Sequence, residues 1–304
     1  MFCKKNAPSA QHSDSRSCPV DPRHRPYRSV LYIPPSKPRA IDKARGLPVD
    51  AIIFDLEDAV AAEEKVNAQD TLKTELAAGG FGNLVRILRI NALDTPWGPD
   101  DAKLATEIDA DVVLLPKVSS AADIDALAKI TGDMPIWAMM ETPQGMLNAP
   151  EIAAHSRMAG LVMGTNDLAK ELQTRFRPDR LPLMTSLGIC LLAAKANGLV
   201  IVDGVYNAFK DEEGLAAECA QGRDMGFDGK TLIHPAQIAV TNAAFAPSAE
   251  ELDLARRQIA AFEEIEASGQ GVAVVDGKIV ENLHVATARE LIAKADAIAA
   301  LEQG

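Results

Sequence analysis

Residues 135–141 read PIWAMME and residues 160–167 read GLVMGTND. In both stretches a short apolar run ends in, or shortly before, an acidic residue. A continuous apolar run of this length is typical of a strand buried on both faces, which a parallel sheet requires. The two stretches therefore predict parallel strands whose carboxyl ends carry Glu141 and Asp167.

Six further runs of the same kind flank these two, and helical stretches lie between them. The eight predicted strands are 29–34, 51–55, 84–90, 111–116, 135–140, 160–163, 199–202 and 230–233, and the clearest intervening helices are 63–77, 121–130, 183–197 and 212–225. Eight such units can close a (β/α)8 TIM barrel, an α/β fold without sheet edges. A doubly wound open sheet is the competing architecture, but no G-x-G-x-x-G or Walker loop follows any strand.

The ends of the chain extend beyond what a barrel needs. Residues 1–26 are polar and rich in Pro, Ser and Arg, so we expect a disordered N-terminal extension, with a targeting role as the alternative. The barrel is predicted over 27–246. Residues 247–304 predict a helix at 248–268, a hairpin turning near Asp276 and Gly277, and a helix at 286–301. We expect this C-terminal extension to pack over a barrel mouth, its own or that of a neighbouring chain.

Charge and composition narrow the function classes. The net charge is −12, with 31 basic and 43 acidic residues, which disfavours a nucleic-acid partner. No apolar run approaches the length of a membrane span, so no membrane partner is expected. The four cysteines form no C-x-x-C pair, and we interpret them as reduced thiols in a cytoplasmic protein.

Polar residues cluster where the predicted strands end. In a barrel these positions share one face, and barrel active sites lie on that face. The residues are Asp55, Glu57, Asp58, Arg89, Asn91, Lys117, Glu141, Asn166, Asp167, Asp203 and His234.

Glu141 and Asp167 are the candidate metal ligands. Neighbouring strands lie about 5 Å apart, so two carboxylates at adjacent strand ends can share one ion. Oxygen ligands suit Mg²⁺ or Mn²⁺. Alternatively, Asp167 caps the following helix and Glu141 pairs with Arg89, and spacing alone does not separate these readings. Zinc is disfavoured because the five histidines are scattered.

Arg89 and Lys117 are the candidate basic residues of the mouth. The Arg89 guanidinium would present a fork suited to a substrate carboxylate. Lys117 could form a Schiff base, as in a class I aldolase. An ion pair of Lys117 with Glu57 or Asp58 is the favoured interpretation.

Together these residues carry a resemblance to a known family. The chain resembles the citrate lyase β-subunit-like family, within the HpcH/HpaI aldolase superfamily, from Arg28 to about Ala295. The matching stretches are RSVLYIPPSKPRAIDKA, IIFDLEDAVAAEEK, RINALDTPWG, LLPKV, METPQGMLNAPEIA, LVMGTNDLA, GFDGKTLIHPAQI and VVDGKIVENLHV.

The resemblance implies a (β/α)8 barrel, a Mg²⁺ ion and a homo-oligomer such as a trimer. Family members are carbon–carbon lyases that cleave or form malyl-, citramalyl- or citryl-CoA through a metal-chelated 2-oxo acid and an acyl-thioester enolate, and some hydrolyse the thioester. Carried over by residue, the metal ligands fall on Glu141 and Asp167, and the substrate-carboxylate arginine on Arg89. Glu57 and Asp58 would order metal-bound water and Lys117, which the resemblance places at the substrate.

Two departures from the family pattern keep alternatives open. Pro35 stands where the family usually has Gly, which affects how coenzyme A or phosphate is placed near Lys37, the other expected substrate-binding residue. A metal-dependent aldolase for free 2-oxo acids therefore remains an alternative. Glu281 stands where malyl-CoA-lyase-like members have a catalytic Asp delivered to the neighbouring subunit, and we expect Glu281 to act as that acid. The non-enzyme alternative is a barrel that binds 2-oxo acids or acyl-CoA without turnover.

Overall fold

Eight parallel strands form a closed barrel in chain order in the computed structural model of the protein. The structure describes residues 25–269 and 271–303, so nearly all of the predicted N-terminal extension lies outside the described residues. The sheet closes where the first strand pairs with the eighth, with Val30 opposite Thr231. The predicted (β/α)8 fold is therefore confirmed, and the open sheet is excluded.

The strands and helices alternate as predicted, and each strand bound lies within two residues of its predicted position. The barrel strands are β1 (Ser29–Ile33), β2 (Ala51–Asp55), β3 (Val85–Arg89), β4 (Val112–Leu115), β5 (Ile136–Met140), β6 (Met158–Met163), β7 (Val200–Asp203) and β8 (Gly229–Leu232). The helices from the barrel are α1 (Pro38–Ala44), α2 (Lys65–Ala78), α3 (Gly98–Glu107), α4 (Ala121–Thr131), α5 (Pro143–Leu147), α6 (Ala149–Ala153), α7 (Thr165–Glu171), α8 (Met184–Ala196), α9 (Glu212–Met225) and α10 (Ile238–Phe245). Within the described residues, no helix combines the length and apolarity that crossing a membrane would demand.

Successive side chains of each strand divide between two cores. One set fills the barrel interior and includes Val30, Ile53, Ile87 and Leu114. The other set packs outward against the helices. Because both faces of every strand are covered, most strand positions are apolar. The exceptions inside strands include Arg86 in β3 and the buried Lys230 and Thr231 in β8.

Trp137 fills much of the barrel interior, and Gly160 makes room for it. The two residues are paired between β5 and β6. A Cβ on Gly160 would lie 2.5 Å from Trp137 Cε2, closer than any real contact. This glycine is therefore required by the side chain opposite it rather than by its backbone conformation.

The C-terminal extension comprises α11 (Ala249–Ser268), a hairpin of β9 (Val274–Val275) and β10 (Lys278–Ile279), and α12 (Asn282–Gln303). Ser248 caps α11 through a capping box with Glu251, as its sequence predicts. The last turn of α12 reaches the amino-terminal end of its own barrel, where Glu302 is 3.1 Å from Arg28. That end is opposite the clustered carboxylates, so α12 does not cover its own barrel's carboxyl-end mouth, and coverage of a neighbouring chain's mouth stays a prediction.

Candidate functional site

A cavity of about 360 Å³ opens at the carboxyl ends of the strands. Its charged and polar lining residues are Tyr32, Asp55, Asp58, Arg89, Glu141, Thr165, Asn166 and Asp167. Two larger depressions, of about 660 and 430 Å³, lie beside α12 at the opposite end. We assign the site to the smaller cavity because buried carboxylates and an arginine converge there, which is the signature of a functional barrel face.

Arg89, at the end of β3, is held by carboxylates from the β2 end. Its Nε and Nη2 donate to the two oxygens of Asp55 at 2.7 and 2.5 Å, and its Nη1 lies 2.8 Å from Glu57 Oε2. Burial lowers its pKa, but the neighbouring groups, led by the Asp55 carboxylate, together outweigh burial, and the net shift is well upward. The alternative in which Glu141 pairs with Arg89 is wrong. Arg89 points into the mouth as predicted, but one edge of its fork is occupied by Asp55.

The Arg89 guanidinium retains capacity for a ligand. It carries five N–H donors, and the bidentate pair with Asp55 uses two of them. The ring of Tyr32 lies 5.1 Å from the guanidinium carbon and covers one face of the group. Arg89 therefore reaches the cavity as a fixed cation with donors to spare, which suits recognition of a carboxylate.

Lys117 bridges the two acidic groups of the site. Its Nζ donates to Glu57 Oε1 at 2.7 Å, and its backbone N–H donates to Glu141 Oε1 at 2.7 Å. Burial lowers the Lys117 pKa, but the Glu57 contact together with the charges of Asp58 and Glu141 outweighs burial, so the net shift is upward. An amine held protonated in this way is a poor Schiff-base nucleophile. The ion pair that we favoured from the sequence is therefore present, and the Schiff-base alternative is disfavoured.

Lys117 also has an unusual backbone, with φ of 53°. This left-handed conformation is rare for a residue with a side chain and costs roughly 1 kcal/mol or more. It occurs where the Lys117 N–H meets the Glu141 carboxylate, so the strain is stored at the site itself.

Lys65 stabilises the turn that carries Glu57 and Asp58. The Lys65 Nζ donates to the carbonyls of Leu56 and Glu57, each at 2.8 Å. Asp58 remains exposed, with Oδ2 at 3.8 Å from the Arg89 Nη1. Sequence reasoning missed Lys65, although the residue ends the stretch IIFDLEDAVAAEEK on which the resemblance depends.

Glu141 is buried at the end of β5, and its environment disfavours the anion. Burial and the charge of Glu57 raise its pKa to about 8, with a smaller contribution from Asp167. A Cβ on Gly164 would lie 2.5 Å from Glu141 Oε2, so the carboxylate rests directly against that glycine. Asp167 is in the first turn of α7, but Gly164 is the N-cap, so the interpretation of Asp167 as the cap is wrong.

Glu141 and Asp167 fit a hard divalent cation. A positive ion would remove the repulsion that raises the Glu141 pKa, and carboxylate oxygens are the ligands that such ions prefer. Across residues 25–269 and 271–303, no three His, Cys, Asp or Glu side chains are arranged as a complete metal cage. Two carboxylates with water or substrate in the other positions match the open coordination that Mg²⁺ usually keeps.

Seven of the clustered or expected residues lie outside the cavity lining: Lys37, Glu57, Asn91, Lys117, Asp203, His234 and Glu281. Lys37 is exposed immediately before α1. Glu281 is exposed immediately before α12. Asp203 is fully buried beside Arg180 and Lys230, whose nearest nitrogens are 2.6 and 3.5 Å from Asp203 Oδ2. Asp203 therefore belongs to a buried ion cluster, and Lys37 and Glu281 keep their roles only as predictions.

His234 and Asn91 have structural contacts. The His234 ring stacks on Phe209 at 4.5 Å, and its Nδ1 accepts from the backbone N–H of Ala236. Asn91 is tied to buried Asp101, which accepts from both its backbone and its side chain. His234 is therefore a packing residue at the end of β8.

Comparison with known proteins shows which family the chain resembles. Residues 28–235 match the family described as HpcH/HpaI aldolase/citrate lyase. A (3S)-malyl-CoA thioesterase of Cereibacter sphaeroides (strain ATCC 17029 / ATH 2.4.9) is 67% identical over 275 residues, which are 90% of this chain and 96% of the relative. The citrate lyase subunit beta of Escherichia coli (strain K12) is 34% identical over 281 residues, 88% of this chain and 93% of that protein.

Solved structures give the same assignment. The CitE protein of Mycobacterium tuberculosis, in complex with magnesium, acetoacetate and coenzyme A, matches with a TM-score of 0.76 and 30% identity over 90% of this chain and 99% of that chain. A citrate lyase beta subunit of the same organism, complexed with oxaloacetate and magnesium, matches with a TM-score of 0.67 and 31% identity, covering 74% of this chain and 99% of that one. The chain belongs to the HpcH/HpaI aldolase/citrate lyase family.

Proposed function

We propose that the protein is a Mg²⁺-dependent enzyme that hydrolyses the thioester of a β-hydroxyacyl-CoA of the malyl-CoA type. The observation that carries this proposal is the 67% identity to (3S)-malyl-CoA thioesterases over 90% of the chain. This identity is about twice that to citrate lyase subunit beta, at 34%. The proposal replaces our sequence-based preference for carbon–carbon cleavage, which becomes the second candidate.

The cavity supplies groups for an anionic substrate. We assign Glu141 and Asp167 as the residues that would hold Mg²⁺, and Arg89 as the residue that binds the substrate carboxylate. The bound ion would supply a Lewis acid that polarises substrate oxygens. Asp55 keeps Arg89 in one orientation through the bidentate pair, so little freedom is lost when substrate binds.

Hydrolysis also needs a group that takes a proton from the attacking water, and Glu57 is our candidate. It is buried, and burial raises its pKa from the ordinary value although Arg89 and Lys117 oppose the shift. Its Oε2 is buried and lacks a hydrogen-bond donor within the described residues, although Arg89 lies nearby as an ion-pair partner. A buried carboxylate with a raised pKa is suited to general-base catalysis. Lys117 holds the other oxygen and fixes the orientation, and exposed Asp58 would help to order water.

Carbon–carbon lyase activity is favoured by the similarity to citrate lyase subunit beta. Cleavage would leave the enolate of an acyl thioester, which requires a proton donor. The sequence-based candidate, Glu281, is exposed and lies outside the cavity lining of its own chain. The lyase proposal therefore requires a second chain to supply this acid, whereas the hydrolase proposal uses groups of one chain: Arg89, Glu141 and Asp167 in the cavity lining, and Glu57 beside Arg89.

A homo-oligomer is part of the proposal. The hairpin region exposes large apolar side chains at Val272, Val274, Ile279 and Leu283, each more than half exposed. Apolar groups clustered in this way mark contact surfaces.

The products formed from malyl-CoA separate the two activities. Hydrolysis consumes water and yields malate and free coenzyme A, whose thiol reacts with Ellman's reagent. Lyase cleavage yields acetyl-CoA and glyoxylate, which forms a phenylhydrazone, and releases no thiol. We expect thiol release that stops in EDTA and returns with Mg²⁺. Glyoxylate formation without thiol release would overturn the hydrolase proposal in favour of the lyase.

A matched pair of variants tests the site. Glu141→Gln should abolish Mg²⁺ binding in calorimetry and thiol release, because it removes a charged ligand while keeping the size of the side chain. Glu151→Gln is the control, since Glu151 is exposed on α6. Full activity of Glu141→Gln would refute the metal assignment. Oxaloacetate or pyruvate turnover without any CoA ester would instead support the aldolase alternative, and binding without turnover of either substrate class would support a non-catalytic barrel.

A further inference from the structure

The segment between β7 and α9, residues 204–211, forms one wall of the cavity. It contains neither helix nor strand, and its Val205 lines the cavity. We call residues 204–211 the β7 loop. Because the loop has no ladder of its own, side-chain contacts must set its position relative to the neighbouring loops.

On the β8 side the loop is fastened in two places. Gln237 Nε2 donates to the carbonyl of Tyr206 at 2.8 Å. The Phe209 ring stacks on His234 with centroids 4.5 Å apart. The loop also braces itself, because the Tyr206 hydroxyl donates to Asp211 at 2.7 Å. The outer half of the loop is therefore attached to the β8 end.

On the β6 side the loop is fastened by two amide side chains. Asn207 Nδ2 donates to Asn166 Oδ1 at 2.8 Å, and Asn166 Nδ2 donates to Asn207 Oδ1 at 3.2 Å. Asn166 lies in the first turn of α7, lines the cavity and directly precedes Asp167. The pair thus connects the Val205 wall to the helix that carries the candidate metal ligand.

We propose that Asn207 is a positioning residue, which sets the substrate-binding wall by pairing with Asn166. The reciprocal geometry needs a donor and an acceptor on both partners, and among side chains of this length only Asn supplies both. An Asp at either position can accept but cannot donate, so one bond is lost and two oxygens face each other. The expected effect on KM rests on the proposed function.

Loss of the pair should affect substrate binding and leave metal binding intact. Asp167 is held by α7, and Glu141 is held by β5 and the Lys117 backbone N–H. Neither support depends on the β7 loop. We therefore expect a rise of about threefold to tenfold in KM for the thioester, the equivalent of one net hydrogen bond. The kcat should stay within about twofold of the wild type. Mg²⁺ affinity should not fall, because the ligands keep their supports and the Asn207→Asp variant adds negative charge near Asp167.

The test compares Asn207→Asp with Asn242→Asp. Asn242 also donates one side-chain hydrogen bond, to the Pro48 carbonyl at 2.7 Å, but on α10 and away from the cavity lining. Both variants exchange an amide for a carboxylate of equal size. Asn207→Ser keeps a donor and an acceptor on a shorter side chain and should recover part of the loss. Each variant is measured for melting temperature, Mg²⁺ affinity, kcat and KM.

Amide hydrogen exchange tests, without any substrate, whether the amide pair holds the β7 loop in place. In Asn207→Asp, peptides covering 204–211 should exchange faster than in the wild type, whereas Asn242→Asp should leave them unchanged. Wild-type exchange in Asn207→Asp would overturn the proposal. So would faster exchange with unchanged KM, because the loop would then be fastened without shaping the site. If the wild type hydrolyses no malyl-CoA, the proposed function fails, while exchange still shows whether the amide pair holds the loop.

Discussion

Replacing Gly164 with Ala would place a methyl group where the Glu141 side chain lies. The added Cβ would be 2.4 Å from Glu141 Cβ and 2.5 Å from its Oε2, whereas ordinary contacts begin at 3.4 Å. Gly164 has φ of −91°, which any residue adopts, so the effect is steric and not conformational. About 1 Å of movement must be found, and the Glu141 carboxylate can move only by weakening its bond to the Lys117 N–H.

This displacement sets the expected magnitudes. Extra atoms in a packed interior cost roughly 1–3 kcal/mol of stability. A reacting group misplaced by about 1 Å can lower the rate by roughly 100-fold. We therefore expect Gly164→Ala to fold, to bind Mg²⁺ less tightly than the wild type in titration calorimetry, and to lose about two orders of magnitude in kcat.

The matched control is Gly188→Ala in α8, where an added Cβ would meet nothing within 4 Å. Ala is favoured over Gly in a helix interior by about 1 kcal/mol, so this variant should be slightly more stable and fully active. The reasoning is refuted if Gly164→Ala keeps wild-type Mg²⁺ affinity and kcat, because the carboxylate position would then not matter. A loss of activity with unchanged metal binding would also contradict it.

Three further changes probe the charges around the cavity. Asp55→Asn should destabilise the fold by roughly 3 kcal/mol in urea titrations, because it leaves Arg89 buried without its bidentate partner; unchanged stability would show that Arg89 is held by other groups. Lys117→Met should move the acid limb of the pH profile of kcat to higher pH, because the Lys117 contact lowers the Glu57 pKa and its loss leaves the Glu57 carboxylate protonated over a wider acidic range. The control Lys117→Arg should retain the wild-type limb. An unmoved limb in Lys117→Met would exclude Glu57 as the titrating base. Lys65→Met should cost about 2 kcal/mol in the same urea titrations, because two carbonyls lose their donor, and it should lower kcat; a variant as active and stable as the wild type would contradict a supporting role for Lys65.

The strands could be predicted from the sequence because a doubly covered parallel strand has a one-dimensional signature. In the run at 51–55 every residue before Asp55 is apolar, and β2 has the same bounds as this run. Glycine at 160 was interpreted as the start of a strand, but β6 begins at Met158. The strand begins two residues earlier because Met158 pairs with Ile136, and the register between β5 and β6 shifts before Trp137 meets Gly160. A sequence pattern does not show such a shift.

The sequence predicted which residues lie in the candidate site better than it predicted which of them form ion pairs with one another. Glu141, Asp167 and Arg89 line one cavity, as their strand-end positions indicated. The partner of Arg89 is Asp55, which lies opposite it in the register between β2 and β3. Register depends on how the barrel closes, and the sequence contains no local signal for it.

Loop contacts were the least predictable feature. The Asn166–Asn207 pair joins residues 41 positions apart in the chain. Exposed asparagines are common in loops, where they usually bond to nearby backbone groups. Only the folded arrangement of the β6 and β7 ends identifies these two as partners. A loop that positions a site can therefore escape sequence reasoning even when every residue around it is recognised.

The charge balance of the cavity explains why its parts depend on one another. Its charged lining consists of four carboxylates, from Asp55, Asp58, Glu141 and Asp167, and a single guanidinium, from Arg89. Asp55 already neutralises much of Arg89, so an anionic substrate would meet a cavity of net negative potential. A divalent cation at Glu141 and Asp167 would offset two of these negative charges and place a positive ion next to the bound substrate. The metal would therefore reduce the repulsion that an anionic substrate meets, so substrate affinity at this site is coupled to metal occupancy through electrostatics.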